Sequence, residues 1–123
     1  MAEEGMNSIF GNGEGVVFIN KFYATDAADQ EWLIQDLANV TETVIRYQPG
    51  FISATVHKGF DDFTVTNYAR WRSVEDFKRA LQTPEMLAHR KTLGERYRRE
   101  GSLGSIVYTY TARPEDAESG VQA

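Results

Sequence analysis

Asn67 and Trp71 stand four residues apart in the run Val65-Thr66-Asn67-Tyr68-Ala69-Arg70-Trp71, whose alternation reads as a β-strand. Alternate strand residues share a face, so the carboxamide, Ala69 and the indole project to one side. Before this run comes Pro49-Gly50-Phe51-Ile52-Ser53-Ala54-Thr55-Val56-His57, and Gly59-Phe60-Asp61-Asp62 between the two carries turn formers. With Asp61 and Asp62 as a two-residue loop, Phe60 pairs with Phe63, Val56 faces Asn67, Ala54 faces Ala69 and Ile52 faces Trp71. One surface of the hairpin then holds Ile52, Ala54, Val56, Val65, Asn67, Ala69 and Trp71, and the other holds Ser53, Thr55, His57, Thr66, Tyr68 and Arg70. A carboxamide buried on an apolar surface is costly without partners, so Asn67 is either satisfied by backbone or kept to meet a guest. An amide donates to a developing oxyanion. An indole adds an N–H donor and a flat stacking face, although tryptophan at a strand end also serves simply as core.

Further polar groups sit at suggestive places. Asn20 interrupts the aromatic side Phe18, Phe22 of an earlier strand-like run, as a pocket group or a local backbone cap. Met86, Arg90, Leu93 and Tyr97 recur at helical spacing, with His89 beside the stripe. Arg90, if inward, would hold an anionic group by charge-assisted bonds; otherwise it is one more solvated arginine, and Lys91 competes for the inward position. His57 and His89 are the two imidazoles, the side chains that titrate near neutrality. The two-residue loop points His57 away from Asn67 and Trp71, and a bulge would turn it toward them.

The elements that must position these groups follow in chain order. Val16 to Tyr23 is a strand, with Phe18, Asn20 and Phe22 on one face and Val17, Ile19, Lys21 and Tyr23 on the other. Thr25 or Asp26 caps a helix that Asp29 supports, and Leu33, Leu37, Val40, Val44 and Tyr47 give it an apolar stripe of about five turns before Pro49-Gly50. After the hairpin, Ser73 caps a short helix with Asp76 at the matching position and Phe77, Ala80 and Leu81 inward. Thr83-Pro84 breaks it and starts another, where Arg96, Arg98 and Arg99 crowd the last turn and Gly101 is the stop. Ser105 to Thr111 is the expected last strand. The order is βαββαβ, an α+β ferredoxin-like domain over 16–112 with a four-stranded antiparallel sheet. A leader at 1–15 and a polar tail at 113–123 flank it. With helices on one face only, Val17, Ile19, Tyr68, Tyr108 and Tyr110 need cover, and a second copy of the chain is the economical one.

Composition narrows the function. The chain has 123 residues, is 41% hydrophobic and 25% charged, and carries a net charge of −5, which offers no basic excess for nucleic acid. It holds neither an apolar run of about 18 residues nor a charged-then-apolar leader, so the expectation is a cytoplasmic protein that does not engage a membrane. Without cysteine it has no disulfide or thiolate chemistry, and two histidines are too few for a structural zinc site.

The pattern Pro49-Gly50-Phe51, Ser53-Ala54-Thr55, His57, Asn67-Tyr68-Ala69 and Trp71, with Ile19-Asn20-Lys21-Phe22 before it, resembles the antibiotic biosynthesis monooxygenase superfamily of dimeric α+β barrels. It is most similar to the cofactor-independent, quinone-forming members that oxidise anthrones of aromatic polyketide pathways. The resemblance covers about Val16 to Thr111. It implies a homodimer that takes an aromatic polyketide, uses molecular oxygen and carries no cofactor or metal. It also implies that Asn67 and Trp71 are catalytic, that Arg90 binds substrate, and that Phe77 stands where the family usually has a pocket tyrosine. The base stays open between the substrate's own phenolate, a bound water and a histidine. A haem-degrading member of the superfamily is the nearest rival; Asn20 and His89 fit it, but its tryptophan position falls near Ala80. A dimeric binder of a polyketide intermediate, or a cyclase, is the rival from another class.

Overall fold

The computed structural model describes residues 15–114. The leader and tail expected at 1–15 and 113–123 therefore lie almost wholly outside the described residues. The elements are β1 (Val16–Tyr23), α1 (Ala27–Thr43), a 3-10 turn (Ile45–Tyr47), β2 (Phe51–Lys58), β3 (Thr64–Trp71), α2 (Val74–Leu81), α3 (Pro84–Arg96) and β4 (Arg98–Ser105). The strands form one antiparallel sheet in the order β2-β3-β1-β4, the ferredoxin-like α+β arrangement. No helix among the described residues is long and apolar enough to cross a membrane.

The caps match the sequence. Asp26 accepts from the Asp29 N–H, Ser73 from the Asp76 N–H and Thr83 from the Met86 N–H, each satisfying an amide that the first helical turn leaves open. The first helix is shorter than its apolar stripe suggests. It ends at Thr43, and Tyr47, on the 3-10 turn, is exposed instead of buried on that stripe. Gly50 then turns the chain with φ +85°, and a Cβ there would fall 2.3 Å from an oxygen of the Asp76 carboxylate. Only glycine both adopts this backbone and leaves that space.

In the hairpin, Val56 pairs with Asn67 and Ala54 with Ala69, the expected register. The register shifts between Phe51 and Ser53, so Phe51, not Ile52, lies opposite Trp71, and Ile52 is exposed. The bulge falls beyond His57 and leaves that residue paired with Thr66, on the face away from Asn67. The loop is also longer than two residues. It closes through the Gly59 N–H on the Thr64 carbonyl, while Asp61 accepts from the Phe63 and Thr64 amides and Asp62 takes φ +70°. Buried Gln30 of α1 donates to the Gly59 and Thr64 carbonyls at 3.0 and 2.9 Å, which pins the helix to the loop.

The last strand is a correction. It runs over Arg98–Ser105, so Arg98 and Arg99 are strand residues, Gly101 is no helix stop, and the apolar run after Ser105 lies beyond the strand. Tyr97 is already extended, at φ −127° and ψ 140°, and the chain enters the ladder with Arg98 opposite Tyr23 and Ser105 opposite Val16. Every side chain of β4 is exposed, so no hydrophobic alternation marks it; the open edge of β1 selects it by backbone pairing.

The end of α3 is latched to the start of α1. Asp29 accepts from the Thr25 N–H at 2.9 Å, the Arg96 guanidinium at 2.8 Å and the Tyr97 hydroxyl at 2.7 Å. Desolvation pushes its pKa upward, but the Thr25, Arg96 and Tyr97 hydrogen bonds outweigh that and lower it from 3.8 to about 2. Desolvation, then the bond to Asp29, push the Tyr97 phenol up to about 12. Because the folded value of Asp29 lies below the unfolded one, its contribution is fully present above pH 3.8 and is lost as pH falls through about 2. Asp29→Asn is therefore expected to lower Tm by roughly 5 °C near neutral pH, with the difference from wild type closing near pH 2. Thermal melts across pH check this; a constant difference at every pH would remove Asp29 as the acid-sensitive latch.

Candidate functional site

Two hydrophobic clusters fill the space between sheet and helices. One gathers Phe22, Leu33, Leu37, Val65, Leu93 and Tyr97; the other gathers Val16, Ala69, Trp71, Phe77 and Ala80. A cavity of about 490 Å³ is bounded by residues of both. Its floor is the helix-facing side of β1 and β3, with Phe18, Asn20 and Phe22 on one strand and Asn67, Ala69 and Trp71 on the other. Asn20 and Asn67 are directly opposite each other in the ladder. Both amide oxygens are buried and have no hydrogen-bond partner. Two adjacent unpaired amide oxygens beside one cavity are an expensive arrangement unless a donor completes them.

The apolar wall is aromatic. Trp71 is 3% exposed and meets Phe51 and Phe77 edge-on, at centroid distances of 5.4 and 5.9 Å. Phe77 also tilts onto Phe18 at 4.9 Å. Between Asn67 and Trp71 the strand carries only the methyl of Ala69, so a slot remains in front of the indole. β4 contributes Gly101, opposite Asn20; a Cβ there would come 3.3 Å from the Phe18 ring and 3.6 Å from the Asn20 amide oxygen. The bare glycine keeps the side of the slot open.

Helix α3 supplies the charged rim. Arg90 is half-buried, lines the cavity and has no ion pair among the described residues, while Lys91 is exposed and outside the lining. His89 lines the same cavity, and its Nε2 lies 2.7 Å from Oδ2 of Asp36 on α1. Arg99 of β4 joins the lining next to Phe22. No carboxylate is among the lining residues, so the cavity suits an anionic, flat, largely apolar guest. Among the described residues no group of His, Cys, Asp and Glu is arranged to hold a metal.

Of the residues singled out in the sequence, Asn20, Asn67, Trp71, Phe77, His89 and Arg90 all line this one cavity. His57 does not; it is exposed on β2 and belongs to the opposite face. The sequence reading missed Arg99 and Gly101. The signal available for them was the two-residue spacing of Arg99, Gly101 and Leu103, hidden by a basic run that also suits a helix C-terminus.

A model of the antibiotic biosynthesis monooxygenase family matches residues 15–92. Tetracenomycin-F1 monooxygenase of Streptomyces glaucescens is 45% identical over 60 residues, 49% of this chain and 54% of that protein. The chain thus spans about half the length of this curated relative. Among solved structures, SnoaB, a cofactor-independent oxygenase from Streptomyces nogalater, is 28% identical with a TM-score of 0.63, over 82% of this chain and 98% of that one. A monooxygenase from the gene ActVA-Orf6 of Streptomyces coelicolor, in complex with nanaomycin D, is 24% identical with a TM-score of 0.73, over 81% and 94% of the two chains; this is a likeness of fold.

Filling the slot should weaken binding without unfolding the sheet. Ala69→Leu is expected to weaken binding of a hydroxyanthraquinone probe by roughly 10-fold or more, since the larger side chain occupies space the guest needs, and about 1.4 kcal/mol of lost contact is tenfold in affinity. Quenching of tryptophan fluorescence measures it, with circular dichroism to check the fold. Undiminished affinity in a folded variant would move the binding site elsewhere.

Proposed function

Because the chain belongs to the antibiotic biosynthesis monooxygenase family, we propose that it oxidises an anthrone- or hydroquinone-type aromatic polyketide to a quinone with molecular oxygen and no prosthetic group. The observation that carries this reading is the pair of unpartnered amide oxygens of Asn20 and Asn67, acceptors for a guest's phenolic hydroxyls, beside Trp71 in a cavity of about 490 Å³, within the range of about 300–1,000 Å³ typical of small-molecule sites. The description of SnoaB as a cofactor-independent oxygenase supports the same reading.

The chemistry lies mostly in the substrate. Loss of one proton from an anthrone gives an electron-rich phenolate, which hands one electron to oxygen. Recombination of the radical pair forms a carbon–oxygen bond, and the peroxide takes up a proton. Loss of the remaining C–H proton with cleavage of the O–O bond leaves the quinone carbonyl and one water. The protein's task is to favour the anion and keep bulk water from the peroxide. The Nδ2 of Asn67 donates to the oxyanion, a contribution of about 2.7–4 kcal/mol by analogy with other oxyanion donors. Asn20 opposite it serves a second ring oxygen. Trp71 provides the stacking surface and an indole N–H, and Arg90 and Arg99 attract the anion to the cavity. A haem-cleaving reading fits less well, since Ala80 stands where a tryptophan is needed and the His89 Nε2 is engaged by Asp36.

The reading includes a homodimer. The helix-free face exposes Ile19, Val107 and Tyr108, and it buries the Nε of Arg70 without a partner. A second copy, sheet against sheet, covers the first three and can complete the last. Sedimentation should give twice the chain mass for wild type, and Ile19→Lys should shift it toward the monomer; a wild-type monomer would sink this part.

Oxygen uptake with a synthetic anthrone and a metal chelator present tests the activity. Asn67→Ala is expected to lower kcat by roughly 10²–10³-fold, and Trp71→Phe also to lower it strongly, both variants remaining folded. Unchanged rates in both would exclude them from the mechanism. Tight binding without oxygen uptake would make the protein a binder of the intermediate.

A further inference from the structure

The proposed reaction needs a group to take the first proton. We infer that His89, positioned by Asp36, is the general base, which rests on the oxygenase reading above. The ring lines the cavity from α3, and its Nε2 lies 2.7 Å from Oδ2 of Asp36. The His89 and Asp36 side chains are 15% and 28% exposed, so the pair spans from the cavity wall toward solvent. An ionised carboxylate accepts only, so the Nε2 bonded to it carries the hydrogen and donates. In the neutral ring this tautomer leaves Nδ1 with a lone pair, and the ring has no second hydrogen bond among the described residues. A carboxylate holding one imidazole nitrogen protonated and freeing the other is the arrangement by which a histidine takes a proton and stabilises the resulting imidazolium.

The other charged groups around the cavity are cationic. Arg90 comes from α3 and Arg99 from β4, while β1, β3 and α2 give the lining no titratable group. Nothing else facing the guest accepts a proton near neutral pH; the amides of Asn20 and Asn67 do not. Nδ1 removes the first proton from the substrate and returns it to the peroxide formed with oxygen. The second proton, lost as the O–O bond breaks, leaves with the departing oxygen as water. Asp36 is a positioning residue, because it reaches the substrate only through His89.

The test is the pH dependence of oxygen uptake on an anthrone, measured for wild type, His89→Gln and Asp36→Asn. His89→Gln should lower kcat by roughly 10²–10⁴-fold, lose the acid limb of the profile, and change KM much less. Asp36→Asn should lose less rate and displace the acid limb. Added imidazole should restore part of the rate in His89→Gly, which separates lost chemistry from lost folding. Full activity with an unchanged acid limb in His89→Gln, or failure of imidazole to restore His89→Gly while that variant still binds a hydroxyanthraquinone, would overturn the inference and leave the oxygenase reading standing. Absence of uptake by the wild type would overturn both.

Discussion

Two carboxamide oxygens, side by side and without partners, impose the main constraint on this molecule. Asn20 and Asn67 occupy paired positions on neighbouring strands, both line the same cavity, and both have a buried oxygen without a partner. An unmatched buried polar group costs about 1–3 kcal/mol, and here two lie side by side. Such a cost persists where the surrounding structure enforces it and where a ligand removes it. The rest of the fold can be understood as the means of holding these amides in place, dry and reachable.

The enforcement comes from packing on both sides of the cavity. Phe22, Val65, Leu33 and Leu37 close one end, and Trp71, Phe77 and Ala80 close the other. Each cluster joins strands to helices, so the helices cannot settle onto the amides without breaking both. The small residues Ala69 and Gly101 keep the intervening space empty. Polar latches hold the helices in register: Gln30 on the hairpin loop and Asp29 on Arg96 and Tyr97. The result is a rigid frame around a slot whose rim carries the guanidinium groups of Arg90 and Arg99 beside His89.

Much of this frame was legible in the residues. The hairpin register from Ala54 to His57 follows from turn chemistry and the period of two, and it places Asn67 and Trp71 on one face. The helix starts at Asp26, Ser73 and Thr83 follow from their caps. Other features were not legible. Ile52 alternates correctly, but the bulge gives its place opposite Trp71 to Phe51, whose ring fills the space beside the indole. Arg98 to Ser105 has no apolar alternation, and Val107, Tyr108 and Tyr110 drew the expected strand too far along the chain.

The chain's own residues therefore determined the order of elements, the face shared by Asn67 and Trp71, and the apolar character of the space before them, because these depend on period, caps and turns within a few residues. Tertiary structure alone decided that Asn20 lies opposite Asn67, that Asp36 meets His89 across two helices, and that Arg99 and Gly101 complete the wall. These contacts join residues far apart in the chain. They exist only once the strands have paired and the helices have packed on one side, and no local pattern encodes that pairing.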